Sequence, residues 1–218
     1  MDVEEPRTLA VVAAVRAGDL AELDRLLTEY PDLIGARIEG RSLLHVATDW
    51  PGHLPHVGGT IATLVAHGAE VDARFVGAHT ETPLHWAASN DDVEALDALL
   101  DAGADIEAEG AVIGGGTPLA DAVAFAQWNT ARRLVERGAS VQAHQAAALG
   151  LLDRMTEPFD LDLAFWYAAH GGQRELAAYL LERGADPSWL PGWEPVDAEG
   201  AARRNGFGEL ADWLSRRS

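Results

Sequence analysis

The feature that most restricts this chain is an internal repeat. Thr82-Pro83-Leu84 returns as Thr117-Pro118-Leu119, 35 residues later, and Gly103-Ala104-Asp105 returns as Gly138-Ala139-Ser140 with the same shift. Gly68-Ala69-Glu70 stands 35 residues ahead of Gly103, and Gly184-Ala185-Asp186 closes a further copy. The interval from His85 to Gly103, from Ala120 to Gly138 and from Trp166 to Gly184 is 18 each time. A fixed period of this length marks stacked supersecondary units, because one such unit cannot bury its apolar face alone.

The stretch "TPLHWAASNDD", residues 82–92, shows what the unit is. Thr82 is placed to cap a helix with its hydroxyl, and Pro83 fits the first helical position, where its missing N–H costs nothing. Leu84, Ala87 and Ala88 make a narrow apolar face that another helix can approach closely. Asp91 and Asp92 are placed to cap a second helix, whose stripe is Val93, Leu96, Leu99 and Leu100. Gly103 ends it in the left-handed conformation that glycine adopts cheaply. The unit is a helix–turn–helix hairpin.

The pattern Thr-Pro-Leu-His-x-Ala-Ala, then Leu-Leu, then Gly-Ala-Asp resembles the ankyrin repeat. Residues 82–108 carry it almost in full; residues 41–72 carry it through "RSLLHVA" and "GAEVDA". Residues 117–142 have Ala120 in the histidine place, and residues 163–186 match through Ala168, Ala169, Gly172 and "LLERGAD". The resemblance implies an all-α ankyrin-repeat solenoid of six to seven helix pairs with long hairpin fingers. It implies a single domain over 1–218. An N-terminal capping repeat covers about 7–39, repeats cover about 40–73, 74–108, 109–142, 143–159 and 160–192, and a C-terminal cap covers about 193–218. The fold alone does not assign an activity.

Departures from the repeat are where function is expected. "DWPGHLPHVGG", residues 49–59, lengthens the second repeat with prolines and glycines that keep it out of the helices. "DARFVGAHTETP" and "EAEGAVIGGGTP" are long enough for extended fingers. Residues 141–162 are compressed into two short helices without a finger, and "DPSWLPGWEP" forms a further finger.

The resemblance also implies that fingers and first helices line a concave, partner-binding surface. It places there Asp49, Trp50, Ser89, Asn90, Phe125 and His170, with Phe75, His79, Glu81, Ile113, Trp189 and Trp193 from the fingers. His53 and His56 of the long loop, and Trp86, Trp128, Trp166 and Tyr167 of the helices, complete the candidate binding set. Aromatic anchors among polar neighbours make hot spots, although Trp189 and Trp193 equally suit the packing of a Pro-rich finger. His45 and His85 are expected to bond the backbone and the neighbouring repeat.

Asp121 is the least expected residue. It stands where Trp86 and Tyr167 stand in other copies, so its carboxylate must find a partner or shift its pKa. The Gly114-Gly115-Gly116 amides or an imidazole are the expected partners. As a catalytic alternative, Asp121, His170 and Asp49 supply acid–base groups for a cyclase, isomerase or hydrolase. His53 and His56 are three apart but lack a further spaced ligand, so no metal and no cofactor is expected. Gly114-Gly115-Gly116-Thr117 lacks the Lys-Ser/Thr ending of a phosphate loop, and the chain has no Gly-x-Ser-x-Gly elbow and no Cys.

The formal charge of −19 disfavours nucleic acid and anionic membrane as partners. No apolar run approaches the roughly 18 residues of a membrane span. All 16 basic residues are arginine, a bias in keeping with a GC-rich bacterial genome. The acidic start "MDVEEPRTLA" lacks a signal pattern, and with no cysteine a reducing cytoplasm fits. The expectation is a monomeric, non-catalytic module binding a protein or peptide, with a basic one favoured by charge. An enzyme or binder with a small molecule in the groove near Asp121 and His170 is the alternative.

Overall fold

The computed structural model describes residues 6–217; the first five residues, read above for a leader, and the last residue of the expected C-terminal cap lie outside them. Helices joined by turns and irregular connections make up the described residues, and their β-type pairing is confined to an isolated bridge between Ile38 and Arg41. None of these helices is long and apolar enough to cross a membrane. The chain forms two compact units that divide between Ala139 and Ser140.

The first unit contains four helix pairs: α1 (Pro6–Ala17) with α2 (Leu20–Glu29), α3 (Leu43–Ala47) with α4 (Val57–Ala66), α5 (Pro83–Ser89) with α6 (Val93–Asp101), and α7 (Pro118–Ala124) with α8 (Trp128–Glu136). Leu84, Ala87, Ala88, Leu96 and Leu99 are fully buried, so the alanine face and the leucine stripe of the repeat meet in the core. Thr82 stands at the N-cap of α5, and its own N–H donates to His85 Nδ1 at 3.1 Å, the reciprocal half of a capping box. The two aspartates that follow divide their work. Asp92 caps α6 by accepting from the Ala95 N–H at 3.0 Å. Asp91 takes a positive φ of 56° and reaches the next pair instead, accepting from the N–H groups of Asn129 (3.0 Å) and Thr130 (2.9 Å). It thereby satisfies the start of α8, whose own N-cap Gln127 makes no side-chain bond. Gly103, Gly138 and Gly184 all end helices with φ between 92° and 99°, the left-handed region read from the sequence.

The fingers are closed by few bonds rather than by a ladder. The Phe75 N–H donates to the Glu81 carbonyl at 2.9 Å, and the Ala111 N–H donates to the Gly116 carbonyl at 2.9 Å. The long second-repeat loop ends at His56, and Val57 already begins α4 and is buried.

The second unit holds α9 (Ala143–Leu149), α10 (Leu161–His170) with α11 (Arg174–Glu182), and α12 (Ala198–Arg204) with α13 (Gly208–Leu214). The second short helix expected after α9 is reduced to a three-residue 3₁₀ turn, Leu152–Arg154. Its residues are exposed, so no apolar stripe is available to hold a longer helix against the core.

Candidate cleft and the Glu81–Asp121 carboxyl pair

Two histidines fix the floor of the first unit. Backbone N–H groups can only donate, so the Ser42 N–H at 3.3 Å and the Thr82 N–H at 3.1 Å require His45 Nδ1 and His85 Nδ1 to accept. Each Nε2–H then donates one repeat onward: His45 to the Glu81 carbonyl at 3.1 Å, His85 to the Gly116 carbonyl at 3.2 Å. Both rings are therefore neutral ties between repeats. Burial lowers both pKa values, that of His45 to about 4.

The His45 tie holds the Glu81 backbone, and the Glu81 side chain becomes the hub of the site. It is almost wholly buried. Its Oε2 accepts from the Trp86 indole N–H at 2.8 Å, and its Oε1 accepts from the Val112 N–H at 2.7 Å. His79 Nδ1 lies 3.2 Å from Oε2 but out of line for a hydrogen bond. The His79 ring stacks on Phe75 with centroids 4.5 Å apart, and Phe75 packs in turn near Trp86.

Asp121 faces this hub from α7. It is 0% exposed, and neither carboxyl oxygen receives a hydrogen bond from any N–H or O–H group. The expected bonds to the Gly114–Gly116 amides or to an imidazole are absent. The glycine finger closes on itself instead, with the Gly115 N–H donating to the Ala111 carbonyl at 3.0 Å. Burial first, then the charge of the neighbouring Glu81 carboxylate, and then the hydrogen bond a protonated Asp121 shares with Glu81 push the Asp121 pKa up to about 8. Of the two ways out open to a buried carboxylate, the chain takes protonation.

Above the pair lies a cleft of ≈ 400 Å³ lined by Asp49, Trp50, His79, Glu81, Trp86, Ser89, Asn90, Val112, Phe125 and Gln127. Eight of these belong to the set read from the sequence. Val112 and Gln127 do not, because nothing in their own positions distinguishes them; the fingers and the α7–α8 turn deliver them. Trp50 is 81% exposed, while Asn90 beside it is tied by its amide N–H to the Thr48 carbonyl at 2.8 Å.

Other candidates fall elsewhere. Ile113 is an exposed finger tip, and Trp128 is half-buried at the start of α8. His53 has an outward ring and a backbone N–H that donates to Asp92 at 2.6 Å; His56 is the left-handed N-cap of α4. Among the described residues no three His, Asp or Glu side chains converge as a metal site requires.

Two members of the acid–base set of Asp121, Asp49 and His170 are held by other groups. Asp49 is paired with Arg41 at 2.7 Å. His170 belongs to the second unit and is 2% exposed there; Asn205 bonds both its Nδ1 (2.8 Å) and its carbonyl (2.9 Å). Gly171 leaves no room beside it, since a Cβ on that glycine would lie 1.8 Å from the Ala148 carbonyl oxygen. His170 stacks on Trp166, whose indole N–H donates to the Val196 carbonyl at 2.8 Å. Trp166 meets Trp193 edge-on at 5.7 Å, Trp189 lies against Trp193, and Tyr167 packs on Trp166 and on His144. These rings staple the last finger to α10.

A family model described as ankyrin repeats (3 copies) matches residues 58–145. No curated protein matches the sequence significantly. Among solved structures, the crystal structure of the human ASB11 ankyrin repeat domain is similar in fold, with a TM-score of 0.57 at 18% identity over 97% of this chain and 98% of that chain. At that identity the likeness speaks for the fold alone.

Proposed function

Because the chain is an ankyrin-repeat protein, we propose that it is a binding module whose first unit receives an extended segment of a partner protein in the cleft between fingers and first helices, with no chemistry of its own. The observation that carries this reading is Trp50. A tryptophan left 81% exposed at the rim of a ≈ 400 Å³ cleft has no internal packing duty that accounts for it. Trp86, Val112 and Phe125 supply further apolar wall, and Ser89, Asn90 and Gln127 supply polar contacts, the mixture typical of hot spots. Binding is favoured over catalysis because Asp121 has no exposed surface with which to touch a reacting atom, and Asp49 is held by Arg41.

The test is a random peptide library panned on the whole chain, followed by affinity measurement on Trp50→Ala and Phe125→Ala. Both side chains are exposed, so the variants should fold. Selected peptides should lose about tenfold or more in affinity on Trp50→Ala, as truncated aromatic anchors do. Peptides that bind both variants as tightly as the unmodified chain would remove the cleft from the binding surface.

A further inference from the structure

The cleft floor has a feature that apolar recognition does not use. Glu81 is a carboxylate whose two oxygens each accept one neutral N–H, from Trp86 and from Val112, and whose nearest basic side chain is the His79 imidazole, 3.2 Å from Oε2 but out of line for a hydrogen bond. Behind it stands Asp121, fully buried, with no N–H donated to either oxygen and its carboxyl turned to that of Glu81. Two neighbouring carboxyl groups, with no arginine paired to either among the described residues, leave a negative cleft inside a chain of net charge −19. The rim adds the free face of Trp50. Aromatic wall and carboxylate floor together suit a planar guanidinium, which stacks on rings and hydrogen-bonds carboxylates through its fork.

We propose that the cleft binds an arginine side chain of the partner segment, seated on Glu81, and that Asp121 releases its proton as the guanidinium arrives. This rests on the cleft being the peptide-binding surface argued above. Below about pH 8 the pair in the free protein holds one proton, on Asp121, and one negative charge. The incoming positive charge offsets the repulsion from Glu81 that favours the neutral acid. The Asp121 O–H then loses its proton to solvent, and the pair carries two negative charges against the arginine.

Other charged groups around the pair are accounted for. His79 lies beside Glu81 on the same finger. From α5, His85 is turned to Gly116; from α3, His45 is turned to the Glu81 carbonyl. From α8, Arg133 and Arg137 are bound to Asp97 on α6, and at the rim Arg41 is bound to Asp49. The charge that acts on Asp121 is that of Glu81.

The experiment is an NMR titration of the intact chain with N-acetyl-arginine N-methylamide and with its neutral citrulline counterpart, from pH 6 to pH 9. The arginine compound does not titrate in that range, so any pH dependence belongs to the protein. It should bind saturably and shift the Trp86 indole N–H resonance. Its affinity should rise with pH, up to about tenfold for each unit by which binding lowers the Asp121 pKa. The citrulline compound should fail to bind. Asp121→Asn should flatten the pH dependence, and Glu81→Gln should abolish the preference for arginine over citrulline. Equal binding of the two compounds, no saturable binding of the arginine compound, or the same pH profile in Asp121→Asn would each overturn the proposal. If panned peptides bind through Trp50 yet carry no required arginine, this inference falls and the peptide-binding reading stands. If the arginine compound behaves as described while no peptide depends on Trp50, the peptide-binding reading falls and the cation site stands.

Discussion

Asp121 is a charge placed where other copies of the repeat put a ring, and its consequence for stability has a definite sign. Its folded pKa, near 8, lies above the ordinary carboxyl value of about 4. Between those two values the folded chain keeps a proton that the unfolded chain has lost, so this residue lowers stability progressively as pH rises. Asp121→Asn keeps the shape, removes the ionisation and supplies an amide donor facing Glu81. It should raise Tm at pH 8 by at least about 3 °C, roughly the shift expected for one kcal/mol in a chain of this size. The gain should vanish towards pH 4. Thermal melts of both proteins across that range check it; a variant less stable than the parent at pH 8 would mean that the hydrogen bond between the two carboxyl groups outweighs the cost of burying the acid. The neutral His45 and His85 act in the other direction, costing stability as pH falls below about 6.5 because the unfolded imidazoles protonate first. The oddness of Asp121 was legible in the sequence, since comparison of repeats exposes it. Its partner was not. Glu81 sits on the finger of one repeat and Asp121 on the helix of the next, and only stacking brings a finger over the following helix.

At the scale of elements, the long loop of the second repeat separates folding from binding. Trp50, Pro51, His53, Pro55 and His56 are exposed, whereas Val57 is buried in α4, so the replaceable segment is 50–56. The loop is nevertheless anchored. Asp92, 1% exposed, accepts the His53 N–H while capping α6, and Gly18 packs so closely on the Pro55 carbonyl that a Cβ there would lie 2.0 Å from its oxygen. A short Gly-Ser link in place of residues 50–56 should retain helical circular dichroism and a cooperative melt. Asp92→Ala, which removes a buried cap, should cost more, about 1–2 kcal/mol by the usual value of such caps. Loss of cooperative melting in the link variant would make the loop part of the core. The helix pairs themselves were legible because Thr-Pro-Leu-His encodes several things at once: a cap, a first turn, a core position and a tie to the next repeat. Where the code weakens, reading weakens with it. After α9 the sequence offers Leu151 and Leu152 without a continuing stripe, and a 3₁₀ turn forms where a helix was expected. The closure of His170 by Asn205 was hidden for the same reason as Glu81: the two residues stand a full repeat apart.

For the whole molecule the governing quantity is charge, which is plain in the sequence: 35 acidic residues against 16 arginines. Two effects compete when salt is added. Ion pairs such as Arg25 with Glu22 and Glu29, or Arg203 with Glu199 and Asp212, are largely exposed, and screening weakens them. Exposed pairs contribute little, typically under about 1 kcal/mol each. The excess of 19 negative charges repels itself over distances longer than any pair, and the compact state suffers more than the unfolded chain. The Debye length falls from about 30 Å at 0.01 M salt to about 8 Å at 0.15 M, which removes most of that long-range repulsion while leaving contact pairs partly intact. Repulsion therefore dominates, and Tm at pH 7 should rise by several degrees between those two concentrations. The same change of salt should slow association of any arginine-bearing peptide, because the steering field is screened too. Calorimetry at the two concentrations decides between the competing effects: a Tm that falls with added salt would assign the stability to the ion pairs and demote the net charge to a solubility device.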